Sequence, residues 1–234
     1  MIDKAAKIVL KDFAGAAGSF FSNARVPASI VTGSSLGALF SLSNFGSSAG
    51  RSTTELSFIK IYRILCWTSF VLSLNAVITA TIATTSILHG RFDPMAETTY
   101  LLLKREFEYE FVSIRWSMIV GLLLFIAIVA LRLILEFDML TNPDRRDTAI
   151  FVMLSSVALV AHLLSIVNTT LYCWPNLAEM TVDLVRIIVT KAINEPSAMQ
   201  SLSIASALGA AYYGVLAATT SPSSVNNQAH TKKD

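Results

Sequence analysis

Residues 112–137 read VSIRWSMIVGLLLFIAIVALRLILEF, and this stretch decides the fold class. A transmembrane helix needs about 20 predominantly apolar residues to cross the hydrocarbon core of a bilayer. The stretch is long enough, and it lacks the polar face by which a helix of a soluble bundle meets water. It therefore predicts a membrane-spanning helix.

The composition of the whole chain agrees with a membrane protein. Of its 234 residues, 53% are hydrophobic and 15% are charged, with a mean hydropathy of +0.59, whereas soluble domains carry about 25% charged residues. The net charge of +2 is too small for nucleic-acid binding by charge alone, so we expect no nucleic-acid partner. The two cysteines exclude a disulfide framework and a cysteine-based zinc site.

Two further stretches, 61–88 and 148–174, are also long and apolar enough to span a membrane. Two weaker stretches, 27–45 and 199–218, are rich in the small residues that close helix packing in lipid uses. We predict an all-α, polytopic integral membrane bundle with four transmembrane helices at 27–45, 61–88, 112–137 and 148–174. Whether 199–218 adds a fifth span stays open at this point.

The distribution of Lys and Arg predicts the orientation. With four spans, eleven of these residues fall on the side of the N-terminus and four on the other side. Cytoplasmic loops carry the excess of Lys and Arg, so we expect the N-terminus in the cytosol. If 199–218 also crosses, the difference falls to nine against six. The count leaves the plasma membrane and organelle membranes equally open.

The segments outside the predicted spans have distinct patterns. Residues 1–26 place apolar and lysine side chains on different helix faces, which predicts an amphipathic basic helix, either on the membrane surface or as a cytosolic extension of the first span. In residues 175–195, Asn176 and Glu179 have capping-box spacing, which predicts a second amphipathic helix in the cytosol. We expect a small-residue apolar helix over 196–220 and a disordered polar tail over 221–234.

Several polar residues lie within the predicted spans. Intramembrane ionisable residues are candidates for a functional site, but His162 has no acid or second histidine one helical turn away. We therefore favour interhelical hydrogen bonding for His162, as for Asn75 and Asn168. Arg132 and Glu136 have i,i+4 spacing and can form an ion pair at the membrane interface, which we favour over a gate.

Sequence signatures of enzymes are missing. The chain has no nucleophile elbow, no HExxH, no phosphate-binding or dinucleotide-binding glycine motif and no CxxC. We therefore predict no catalytic residues, no metal site and no cofactor, and we expect the protein not to be an enzyme.

The stretch PASIVTGSSLGALFSL, residues 27–42, resembles the pore helix of the Orai family of store-operated calcium channels. The stretch IATTSILHGRFDP, residues 82–94, resembles the exit of the second Orai span, and residues 114–137 resemble the third span. The resemblance implies a ring of subunits whose 27–45 helices line a central pore.

The resemblance also implies roles for individual residues. Gly33 would be the hinge glycine, Leu36 and Phe40 the apolar constriction, and Lys11 and Arg25 the basic inner mouth. The implied pore-lining set is Gly33, Ser34, Leu36, Gly37, Phe40, Ser41 and Asn44. The sequence departs from the family at the acidic ring, where Ser41 stands in place of a carboxylate, so the carboxylate basis of calcium selectivity is lacking.

Two functional hypotheses follow. The first is a structural or assembly subunit that packs in the bilayer with itself or with other membrane proteins. The second is an oligomeric, Orai-like ion channel without the acidic filter, in which Ser35 would also line the pathway. A channel needs the 27–45 helix at a symmetry axis, whereas a lone scaffold would bury that helix within its own bundle.

Overall fold

The computed structural model describes residues 10–41, 53–90, 92–137, 143–170, 174–194 and 198–219. These residues form seven α-helices and one two-residue β pairing, so the predicted all-α class is confirmed. The helices are α1 (Ala14–Phe40), α2 (Thr53–Leu88), α3 (Thr99–Glu106), α4 (Glu108–Glu136), α5 (Arg146–Thr170), α6 (Leu177–Asn194) and α7 (Ala198–Thr219). Strand β1 (Lys11–Asp12) pairs antiparallel with β2 (Met95–Ala96), and a 3₁₀ turn at Pro143–Arg145 precedes α5.

Four of the described helices are long and apolar enough to cross a membrane. The qualifying stretches are Thr54–Leu88, Glu108–Glu136, Arg146–Thr169 and Leu202–Thr219, with mean hydropathies of 1.7, 2.9, 2.4 and 1.4. The chain is therefore an integral membrane helical bundle. Three of these helices contain the strongly apolar stretches predicted above, but the fourth is α7 and not the expected 27–45 segment. Asn23, Arg25 and a run of serine and glycine make α1 more polar than the other long helices.

The boundary expected between residues 26 and 27 does not occur. Helix α1 runs without interruption from Ala14 to Phe40, with Pro27 inside it and exposed. Proline removes one backbone hydrogen bond and favours a helix end. Here Ala24 and Ala28, on either side of Pro27, are both buried, and this packing keeps the chain helical. The remaining parts of the predicted N-terminal helix and tail, residues 1–9 and 220–234, lie outside the described residues.

Helices α1 and α2 pack antiparallel along the whole of α1. At one end the Phe13 N–H donates to the Pro94 carbonyl at 3.1 Å, and at the other the Tyr62 hydroxyl donates to the Ala38 carbonyl at 3.2 Å. The buried residues of α1 are Ala17, Phe21, Ala24, Ala28, Val31 and Ser35, and those of α2 include Ile59, Tyr62, Cys66, Ser69, Ser73, Ala76, Ala80 and Ala83. Both sets alternate spacings of three and four residues, which is the pattern of a coiled-coil seam.

Helix α2 also packs against α4, through a second set of small residues. Ser117 and Gly121 of α4 are buried where Ser69 and Ser73 of α2 approach. A Cβ atom at Gly121 would lie 2.7 Å from the Ser73 Oγ, closer than real Cβ contacts allow. The same Cβ would meet the Ser73 backbone nitrogen at 3.7 Å, an ordinary contact, so the missing side chain at Gly121 makes room for the Ser73 hydroxyl.

An aromatic cluster fixes the end of the bundle that holds β1, β2 and α3. Phe107 separates α3 from α4, and its ring packs 5.7 Å from Phe21 and 5.3 Å from Phe92, measured between ring centroids. Phe111, one turn into α4, stacks on Trp174 at 5.9 Å. These rings join α1, α4 and the chain that leads into α6.

Helices α5 and α7 are peripheral. No residue in the most apolar window of either helix is buried. A cavity of about 220 Å³, lined by Pro27, Val31, Leu122 and Leu163 among others, separates part of α5 from α1 and α4. Helix α6 instead packs on α4, and its N-terminus is capped as predicted, since the Asn176 Oδ1 accepts the Glu179 N–H at 2.9 Å.

The contact at Gly121 predicts the effect of a single methyl group. We expect Gly121→Ala to lower the free energy of unfolding by about 1–3 kcal/mol, because the new Cβ would overlap the Ser73 hydroxyl. The double variant Gly121→Ala/Ser73→Ala removes that hydroxyl and should regain most of the loss. The measurement is unfolding in mild detergent, followed by tryptophan fluorescence. An equally large loss in the double variant would contradict the proposed packing.

Candidate functional site

The centre of the bundle is a hydrogen-bonded contact among three helices. The Ser69 hydroxyl of α2 donates to the Gly121 carbonyl of α4 at 3.0 Å. Because a serine hydroxyl has one hydrogen to donate, the Ser35 hydroxyl of α1, 3.0 Å from Ser69, is then the donor in that second bond. Both serines are fully buried. One side chain thus links α1, α2 and α4 at the same level.

Asn75 makes a second polar contact between α2 and α4. Its Nδ2 donates to the Ser113 Oγ at 3.3 Å and to the Ser117 Oγ at 3.1 Å. This is the interhelical hydrogen bonding that we favoured for Asn75 from the sequence. Such bonds satisfy polar groups that lipid cannot hydrogen-bond.

The predicted ion pair of α4 forms and extends to α1. The Arg132 Nε lies 3.1 Å from the Glu136 Oε2, and the Arg132 Nη1 donates to the Ser41 Oγ at 2.8 Å. The Ser41 hydroxyl in turn donates to the Ala38 carbonyl at 3.0 Å, the same carbonyl that Tyr62 reaches. Arg132 therefore ties the C-terminal end of α1 to α4.

The opposite side of α1 is exposed along its length, and we call it the open face; among its described residues only Ser41, at the C-terminal end, is hydrogen-bonded to another helix, through Arg132. The open face consists of Ser19, Asn23, Val26, Ile30, Gly33, Ser34, Gly37, Phe40 and Ser41, all of them exposed. Five residues of the set implied by the Orai resemblance lie on it: Gly33, Ser34, Gly37, Phe40 and Ser41. The Phe40 ring is 69% exposed.

Of the other three expected pathway residues, two lie away from the open face and one is not described. Leu36 lies at the side of α1 and is half-buried, and Asn44 lies outside the described residues. Ser35 corrects the sequence prediction, because it is fully buried against Ser69 and so does not belong to the open face. It lies on the α2 side because it continues the buried spacing of α1, four residues after Val31.

His162 and Asn168 also depart from expectation. Both are exposed on α5, and the interhelical hydrogen bonds that we favoured for them are not found among the described residues. The reason is that α5 contacts the bundle mainly through α4 and leaves most of its circumference open. Two polar side chains thus face outward at membrane depth, where contact with lipid is costly.

Two hydroxyls of α1 are satisfied within the helix itself. Ser29 donates to the Arg25 carbonyl at 2.9 Å, and Thr32 donates to the Ala28 carbonyl at 2.7 Å. Within residues 27–41, Ser34 is the one hydroxyl without a hydrogen bond to a described residue. Glycine is also unhindered here: a Cβ at Gly33 or Gly37 would have no atom within 4 Å. The open face can therefore accept a closely approaching helix.

Sequence reasoning missed the residues that hold the bundle together. Ser69, Ser73 and Gly121 were read only as parts of apolar spans. In the sequence, Ser69 and Ser73 belong to a pattern in which buried residues of α1 and α2, many of them small, are spaced alternately three and four residues apart. A search for long apolar runs does not detect this pattern. Among the described residues, no three His, Cys, Asp or Glu side chains come close enough to hold a metal ion.

Comparison with known proteins gives no relative. No family model, no curated protein and no solved structure matches the chain. The resemblance to Orai therefore remains a prediction from the sequence motifs alone.

The contact at Ser69 can be tested with a matched neighbour. We expect Ser69→Ala to lower the free energy of unfolding by about 1–3 kcal/mol, because it leaves the buried Gly121 carbonyl without that donor. Thr68→Ala is the control, since Thr68 is exposed and bonds only to the Ile64 carbonyl of its own helix. Unfolding in mild detergent should separate the two variants, and equal losses would argue against the three-helix contact.

Proposed function

We propose that this protein is a subunit of a membrane complex that assembles, with itself or with other membrane proteins, through the open face of α1. The observation that carries the proposal is that α1 packs among the membrane-spanning helices although it is too polar to be one of them by itself. The helix lies alongside the spans α2 and α4, yet it is not among the helices apolar enough to cross a membrane alone. Its inner face is covered by α2 and α4, and its outer face is uncovered.

The side chains of the open face support contact with protein over contact with lipid. Small residues such as Gly33 and Gly37 let helix backbones approach closely, and this packing drives helix association in bilayers. The outward-facing His162 and Asn168 of α5 favour the same interpretation, because a neighbouring subunit would remove them from lipid. We place the N-terminus in the cytosol on the distribution of Lys and Arg.

A large side chain on the open face tests the assembly. We expect Gly37→Leu to dissociate the complex, because Leu would hold a neighbouring helix away, while the fold of the single chain is unchanged, since the position has space for a side chain. Gly209→Leu in α7 is the control, because a Cβ there also meets no atom within 4 Å. The measurement is the mass of the particle in mild detergent by native mass spectrometry. A wild-type monomer without co-purifying membrane proteins, or an unchanged mass in Gly37→Leu, would refute the proposal.

A second candidate is an ion pathway in which several α1 helices surround an axis, as the Orai resemblance implies. The observation that favours it is Ser34, an exposed hydroxyl without a partner among the described residues, on the same face as Gly37 and Ser41. Water in a pore would satisfy this hydroxyl. Ser41 is less suited to line a pathway, because Arg132 already donates to it.

Charge reversal at Ser34 tests the pathway. If α1 lines a pore, Ser34→Glu should shift the reversal potential toward cation preference and Ser34→Lys toward anion preference, because a ring of like charges sets selectivity. The measurement is current in planar bilayers with a salt gradient. Identical reversal potentials for the two variants in a conducting protein would exclude α1 as the lining helix.

A further inference from the structure

A groove of about 600 Å³ lies at the N-terminal end of α4, between α6 and the junction of α3 with α4. Its walls include Lys104 from α3, Tyr109 from α4, and Arg186, Thr190 and Lys191 from α6. Tyr109 lies in a densely charged stretch of the sequence, with Lys104, Arg105, Glu106, Glu108 and Glu110 around it. Charged side chains are costly in hydrocarbon, so we place the groove on the aqueous side. A volume of this size fits ligand-binding pockets, which measure about 300–1,000 Å³.

Three cations line the groove, and none of them forms an ion pair with a described residue. Among the described residues, no carboxylate lies within 4.0 Å of the charged atoms of Lys104, Arg186 or Lys191. The Lys191 Nζ lies 5.1 Å from the centroid of the Tyr109 ring, a cation–π contact that holds it toward the groove. Three positive charges from two separate helices, kept together without a partner, favour an anion between them.

The two carboxylates of the groove do not serve as that anion. The Asp183 Oδ2 accepts a hydrogen bond from the Trp174 Nε1 at 2.7 Å, which fixes this carboxylate as part of the docking of α6. Glu108 is exposed and forms no ion pair with a described residue. Its charge would repel a bound anion but is outweighed by the three cations, and because the net attraction grows with the charge of the ligand, the groove favours an anion with several negative charges.

We propose that this groove binds a small anion that carries two or more phosphate groups. The guanidinium of Arg186 provides paired donors that match phosphate oxygens, and Lys104 and Lys191 supply point charges. Thr190 and Asn194 follow Arg186 at intervals of four residues on the same side of α6 and add neutral donors. The phosphates can belong to a soluble polyphosphate or to a phosphoinositide headgroup in the adjacent leaflet. In both cases the ligand would fix α6 on the α3–α4 junction.

The test uses the full-length protein in nanodiscs and two probes. One probe is inorganic tripolyphosphate added to nanodiscs of phosphatidylcholine, with binding measured by calorimetry. The other is phosphatidylinositol bisphosphate included as a small fraction of the nanodisc lipid, with bound lipid detected by native mass spectrometry. Saturable binding of tripolyphosphate identifies a soluble ligand, and retention of the lipid without such binding identifies the headgroup. Failure of both probes to bind overturns the proposal.

Variants separate this site from general charge effects. We expect Arg186→Gln and Lys104→Gln each to weaken binding about tenfold, since each removes a charge-assisted contact to phosphate. Glu108→Gln should strengthen binding, because it removes a repelling charge from the same groove. Arg63→Gln is the matched control: Arg63 is an exposed cation of α2 near the opposite end of the bundle, and its loss should leave affinity unchanged.

The direction of the change in affinity in Glu108→Gln distinguishes the proposed site from a general loss of structure. A variant that only disturbed the fold would weaken binding whichever charge it removed, so weaker binding in Glu108→Gln would overturn the proposal. A loss in Arg63→Gln equal to that in Arg186→Gln would overturn it too, because it would indicate non-specific attraction. Melting temperatures of all four variants identify any that fail to fold. The result is independent of the assembly through α1, since the groove lies within a single chain.

Discussion

The bundle depends on how closely α2 can approach its two neighbours. Ser69 contacts both at once, accepting a hydrogen bond from Ser35 and donating one to the Gly121 carbonyl. Helices in lipid gain no hydrophobic free energy by meeting each other, so their association relies on close packing and interhelical hydrogen bonds. Both conditions require small side chains at the contact. The requirement is strictest at Gly121, where even a methyl group would overlap the Ser73 hydroxyl. A larger residue at this level would separate α2 from α4.

This requirement explains why α1 belongs to the core although it is more polar than the other long helices. Its alanines and Ser35 pack against the small residues of α2 along the seam. The low hydropathy of α1 therefore results from the small residues that this packing requires, as well as from its exposed polar residues. The same contact fixes which side of α1 faces outward. Gly33 and Gly37 lie on the open face because the buried positions are spaced three and four residues apart on the other side.

The sequence predicted those parts of the fold that are determined by local residues within a single segment. The spans of α4 and α5 follow from long apolar runs, and the start of α6 follows from the local cap between Asn176 and Glu179. The limits of α1 do not follow in this way. Pro27 favours a helix end by its own geometry, and only the burial of Ala24 and Ala28 overrides that preference.

In the candidate site, too, contacts between residues close in sequence were predictable and contacts between distant residues were not. The spacing of Arg132 and Glu136 was sufficient for their ion pair, but nothing local indicates that Arg132 also reaches Ser41, because that bond joins residues 91 positions apart. Likewise, Ser34 and Ser35 are equivalent as residue types, and only the seam with α2 assigns one to the outside and the other to the interior. For His162 and Asn168, the direction they face follows from how α5 packs on α4, which their local sequence does not reveal.

The hydrogen bonds within α1 bear on which of the two functions is the better one. A helix that lines water gains from hydroxyls that are free to bond with water, whereas a helix that packs against protein in lipid needs its hydroxyls satisfied. Ser29 and Thr32 bond to carbonyls of their own helix, and Ser41 is held by Arg132. Val26, Ile30 and Phe40 on the same face are apolar. Within residues 27–41, only Ser34 has a hydroxyl without a hydrogen bond to a described residue, and on this ground we propose a helix-packing surface rather than a water-filled pathway.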